Sequence, residues 1–87
     1  MVNRPKVNIG IDGFIRPHAE DVKISQNIAE ILSSPTGREV LRYLRSVTIE
    51  MVSGPNISTD ELRHLEGQRY IVGLLERRMD HAHRSKQ

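Results

Sequence analysis

The reading of the fold turns on residues 58–79, STDELRHLEGQRYIVGLLERRM. On a 3.6-residue wheel Leu65, Val72, Leu75 and Met79 form one stripe, and Ile71 and Leu74 widen it. Glu66, Arg69, Glu76 and Asp80 gather opposite, so the spacing predicts a helix with one core-facing side. Ser58 and Glu61 stand at capping-box spacing, and Asp60 and Glu61 place acids in the first turn, which sets the start near Thr59. Gly67 and Gly73 lie inside the helix, each costing about 1 kcal/mol of propensity relative to alanine. Gly67 shares the arc of Ile71 and Leu74, so the expected compensation is the close approach of a neighbouring helix; a kink is the alternative. The polar residues 81–87 are expected to fray as a tail.

Upstream, a second helix is predicted over residues 35–52. Ser34 can cap it and Pro35 can take the first position, while Thr36 and Glu39 offer a competing capping box. Val40, Leu41, Leu44, Val47, Thr48 and Met51 fall on one broad face, with Arg38, Arg42 and Arg45 on the other. Ser53-Gly54-Pro55 supplies the stop, a glycine able to adopt positive φ followed by a proline. A first helix is predicted over residues 17–32, opened by Pro17, with Glu20 and Asp21 in its first turn and Ile24, Ile28 and Ile31 on its inner side.

Residues 1–16 read as an extended arm, with Val7, Ile9 and Ile11 alternating between Gly10 and Gly13, and Phe14 following. Such a segment is too apolar to lie free in water. It either folds over its own domain or drapes over a neighbouring subunit, with Val7, Ile9, Ile11 and Phe14 as the contacts.

The chain of 87 residues makes one small domain, with 3% aromatic and 28% charged residues, and so a thin core. Domains of this kind need staples, and the absence of cysteine removes disulfides and thiolate zinc sites alike. Oligomerisation or docking on a larger assembly remains. No apolar run approaches the ~20 residues of a membrane span, and no signal-peptide pattern is present, which leads to the expectation of a protein made in the cytosol. The net charge of +2 permits contact with DNA without demanding it.

No stretch reads as an active site, and no cofactor is implied. The glycines match no phosphate-cradling loop, and the serines have no nearby histidine and acid at a nucleophile's spacing. His81 and His83 project about 200° apart on a helix, with no third metal ligand indicated. Arg38, Arg42 and Arg45 emerge on one side, as residues contacting phosphates or an acidic protein surface do; a solvated face is the plainer explanation. Arg77, Arg78, Arg84 and Lys86 form a second basic cluster, which the helix dipole alone can account for. Arg78 stands apart. It projects onto the apolar arc near Ile71 and Leu74, so it lies past the end of the core or pairs across an interface.

The run Pro35-Thr36-Gly37-Arg38-Glu39-Val40-Leu41-Arg42-Tyr43-Leu44, followed by Glu66-Gly67-Gln68-Arg69, resembles a family of small tailed-phage proteins whose founding member comes from a Bordetella podophage. In that family a TPxGRxVLxxL-type helix precedes one carrying an EGxR-type element. Here Ser34-Pro35-Thr36-Gly37 replaces the threonine-proline order, and the second element is intact. The likeness runs from Ser33 to Met79 and leaves the arm outside. It implies a small helical virion protein, encoded beside head-assembly and portal genes, present in several copies and without catalytic activity.

The expectation is therefore an all-α, three-helix domain whose second and third helices form a central antiparallel hairpin. Its packing residues would be Leu41, Leu44, Val47, Met51, Leu65, Gly67, Val72, Leu75 and Met79. Arg38, Arg42, Arg45 and Arg78 are the candidate contacts to nucleic acid or a partner. The functional expectation is a homo-oligomeric structural protein at the head, portal or neck of a phage particle; the alternative is a DNA-binding packaging factor resembling a small terminase subunit.

Overall fold

The structure, a computed structural model, describes residues 7–85, with side chains from Asn8 onward. Residues 1–6 of the expected arm, the side chain of Val7 and Lys86 lie outside the described residues. Two short strands, β1 (Val7–Ile9) and β2 (Ile15–Pro17), precede three helices, α1 (His18–Leu32), α2 (Pro35–Ser46) and α3 (Thr59–Arg84).

The described part of the arm is a β-ribbon rather than a single extended strand. Ile9 pairs with Ile15 and Asn8 with Arg16 in antiparallel register. The turn between them closes through Gly10 N–H to Phe14 O at 2.7 Å and Gly13 N–H to Gly10 O at 3.0 Å. Gly13 has φ +86°, a conformation that costs a side chain dearly and glycine nothing. Asp12 fixes the turn further, its Oδ1 accepting from Phe14 N–H at 3.1 Å. The all-α expectation is thus corrected to a mostly helical fold with one small two-stranded sheet.

α1 begins directly after Pro17, which ends β2 and occupies the N-cap position without a side-chain cap. Its buried residues are Asp21 and Ser25. The isoleucine stripe predicted to face inward is only half-buried at Ile24 and Ile28, and Ile31 is exposed. The helix is turned so that polar groups meet the basic residue projecting from α3.

Gly37 sets the corner between α1 and α2, because a Cβ there would come 2.1 Å from the Ile31 carbonyl oxygen. Ser34 caps α2, accepting from Gly37 N–H at 3.0 Å while its hydroxyl donates to Ile31 O. α2 ends at Ser46, six residues short of the prediction. Three consecutive β-branched residues, Val47, Thr48 and Ile49, are poor helix formers, and Thr48 Oγ donates to the Leu44 carbonyl that a continuing helix would use. Positive φ at Gly54 is not needed for this stop and is not adopted.

α3 is the longest element at 26 residues, capped by Ser58 accepting from Glu61 N–H at 3.1 Å. It continues to Arg84 instead of fraying after Met79, because Ala82 is fully buried and His81 is tied to α1. α1 packs along α3 more extensively than α2 does, so the expected α2–α3 hairpin is present but is not the main seam. Its antiparallel sense is fixed by Arg45 reaching Glu76 while Thr48 and Met51 reach Arg69, which steps down α3 as the chain steps up from α2.

The molecule is a thin layer. Its principal extents are 60 × 32 × 15 Å, and its radius of gyration of 16.4 Å exceeds the ~12 Å of a compact domain of this length. The buried apolar residues among those described are Leu65, Val72 and Ala82.

Candidate interaction surface

Three side-chain systems organise the molecule, and they divide the candidate residues into those committed internally and those left at the surface. The first joins the ribbon, α1 and α3. Arg78, 2% exposed, donates from Nη1 to the Asp21 carbonyl (2.9 Å), to Asp21 Oδ1 (2.7 Å) and to Ser25 Oγ (3.0 Å). Its Nη2 lies 3.1 Å from Asp12 Oδ2, which Arg16 also grips through Nε at 3.1 Å and Nη2 at 2.8 Å. The bond from Arg16 holds the Asp12 carboxyl well below its ordinary value, at about 2, and the same bond raises Arg16. Gly10 is required here as well, since a Cβ would stand 2.6 Å from Asp21 Oδ1. Arg78 is therefore an interior anchor, and its expected role as a partner contact is corrected. The charge on the apolar arc is answered by two acids of its own chain, as burial of a charge demands.

Ser25 also shares a 2.7 Å hydrogen bond between its Oγ and His81 Nδ1. Together with Asp21 this assembles the side-chain types of a nucleophilic triad, from residues too distant in sequence to be associated by spacing. The geometry is that of a sealed joint. His81 Nε2 stands 4.0 Å from Asp21 Oδ2, beyond hydrogen-bond reach, and Ser25 has no exposed surface. No cluster of histidines and acids among the described residues has the arrangement of a metal site.

The second system explains the EGxR-type element. Arg69 donates from Nε to the Thr48 carbonyl at 2.9 Å and from Nη2 to the Met51 carbonyl at 2.7 Å, while Glu66 steadies Nη1 at 2.7 Å. The guanidinium thus binds carbonyls that the early end of α2 leaves without helical partners. Glu66 and Arg69 hold the α2–α3 connection onto α3 and are committed within the chain.

The third system is the basic stripe. Arg45 chelates Glu76 through Nη1 at 2.6 and 2.7 Å and reaches Glu50 at 3.3 Å, contacts that raise its pKa, the Glu76 bond foremost. Among the described residues Arg38 and Arg42 form no ion pair and are exposed. The three-residue stripe expected from spacing is therefore a surface pair, with its third member bridging α2 to α3.

Between α2 and α3 a groove of about 580 Å³ is lined by Leu44, Thr48, Gly67, Ile71 and Val72, with Arg63 and His64 at its rim. Nothing approaches a Cβ placed at Gly67, so the expected close helix contact does not occur within this chain, and the helix shows no break there. Of the remaining packing residues, Leu65 and Val72 are buried, Leu41, Leu44, Leu75 and Met79 are half-buried, and Val47 and Met51 are exposed. Ile9 and Phe14 of the ribbon are exposed and Ile11 is half-buried, the last beside Arg77, Asp80 and Arg84. Phe14 carries the Arg16 guanidinium 5.4 Å from its ring centre.

A thin helical layer, locked by internal arginines and open along one apolar groove, is the class of protein these features define. The chain belongs to the Bbp19-like phage protein family, whose model matches residues 28–87. That span holds the Gly37 corner, the Arg69 clamp and all of α3. No curated protein and no solved structure matches the chain. No helix among the described residues is long and apolar enough to cross a membrane.

Proposed function

We propose that this phage-family protein is a non-enzymatic assembly component of a tailed phage or phage-like particle, acting as several copies at the head, portal or neck. The observation that carries the reading is the imbalance of apolar surface. Among the described residues Leu65, Val72 and Ala82 are the buried apolar ones, while Phe14, Ile15, Tyr43, Val52 and Ile71 are among the large side chains left exposed. A layer 15 Å across has little interior to hide them in, and surfaces of that kind are covered by neighbours. The burial of Ser25 and Asp21, and the 4.0 Å that separates His81 Nε2 from Asp21 Oδ2, support a non-catalytic reading. A quantitative mass-spectrometric inventory of purified particles tests it. The chain is expected at a fixed copy ratio to the portal protein, and its absence from particles overturns the proposal.

The DNA-packaging alternative is less well supported, since Arg45 is engaged by Glu76 and Arg38 with Arg42 leaves only two exposed cations on α2. Gel shifts across a salt series are expected to show at most weak binding; a steep fall of tight binding with rising salt would favour the alternative.

A further inference from the structure

The ribbon and the groove are complementary surfaces placed at different stations along α3. Register and alternation put Ile9 and Ile15 together on the ribbon face opposite Arg16, where they are 72% and 76% exposed. The ribbon is tied to α3 at Arg78, whereas the groove opens between residues 63 and 72. The groove floor is apolar, with free space over Gly67 that a side chain from outside can fill. Arg63 at the rim and Glu20, exposed in the first turn of α1 beside the ribbon, form no ion pair among the described residues and are opposite in sign. Groove against groove would instead bring two hollows and two Arg63 rims together.

The elongated form leaves more surface than a compact 9.9 kDa monomer shows, 6869 Å² against ~5,200 Å², so both faces are open to a second copy.

We propose that the Ile9–Ile15 face of one copy seats in the α2–α3 groove of a second copy, over Gly67 and Ile71, with Glu20 facing Arg63. This rests on the reading of the chain as a self-assembling protein and names the contact by which it assembles.

The absence of cysteine makes the test clean. Full-length Ile15→Cys and Gly67→Cys variants, one carrying a mass tag, are mixed under mild oxidation and resolved without reductant. The Gly67 site has room for the new side chain, and Ile9→Cys, on the same ribbon face, replaces Ile15→Cys if that variant melts early when reduced. The expected result is a mixed disulfide dominating over either homodimer. An oligomeric sample that gives only Gly67-to-Gly67 dimers, or no cross-link, overturns the ribbon-to-groove contact and leaves self-assembly standing. A wild-type chain that stays monomeric at every concentration overturns both.

Discussion

Arg78 is a buried cation that joins ribbon, α1 and α3 through Asp12, Asp21 and Ser25. Removing one partner of such a group leaves charge stranded, so Arg78→Met is expected to cost about 3–5 kcal/mol by urea unfolding. That is a large share of the ~5–15 kcal/mol that holds a domain. Adding Asp21→Ala should recover part of the loss. Asp12 gives a pH signature. Its folded pKa is lowered from 3.8 to about 2, so its contribution is fully present above its ordinary value and disappears as pH falls through the folded one. Melting temperature should therefore drop as pH is lowered between those values, and Asp12→Asn should flatten that part of the profile. The anomaly of Arg78 is visible in the helical wheel, where a charge interrupts an apolar arc. Its answer is not visible, because Asp21 and Ser25 lie 57 and 53 residues away and Asp21 already has a sufficient local role as a first-turn acid.

Helix starts are written in short-range chemistry and are legible: Ser34 and Ser58 each cap the helix that follows by accepting the N–H three residues on. The end of α2 is written less locally. Gly54 and Pro55 look like the stop, yet Val47-Thr48-Ile49 ends the helix first and Arg69, arriving from α3, binds the freed carbonyls. Arg69→Ala should accordingly speed hydrogen exchange in residues 47–57 and cost about 1–3 kcal/mol, since it leaves carbonyls unpaired. The same contrast separates two family-motif glycines. Gly37→Ala forces a Cβ onto the Ile31 carbonyl and should destabilise the α1–α2 corner by more than about 1 kcal/mol. Gly67→Ala meets nothing within the chain and should raise the thermal stability of the isolated protein by about 0.5–1 kcal/mol. Periodicity alone assigns Gly67 to a helix–helix contact; only the three-dimensional arrangement shows that nothing lies within 4 Å of a Cβ there. The ribbon was half legible, its alternation and glycines marking extended chain but not the pairing of Ile9 with Ile15.

At the scale of the whole molecule, internal ion pairs and clamps fix the shape while the apolar account stays open. The short supply of aromatic residues and the lack of cysteine already indicate a thin core, and the single-layer form with its exposed ribbon and groove shows where that thinness falls. Amphipathic helices specify which faces seek cover, but not whether the cover comes from the same chain. A protein finished by its neighbours has a stability tied to its own concentration. Sedimentation of the recombinant full-length chain, paired with thermal melts across a wide concentration range, measures that directly. The account predicts a mass that is a multiple of 9.9 kDa and a melting temperature that climbs with concentration. A sharp, concentration-independent melt at the mass of one chain would contradict it.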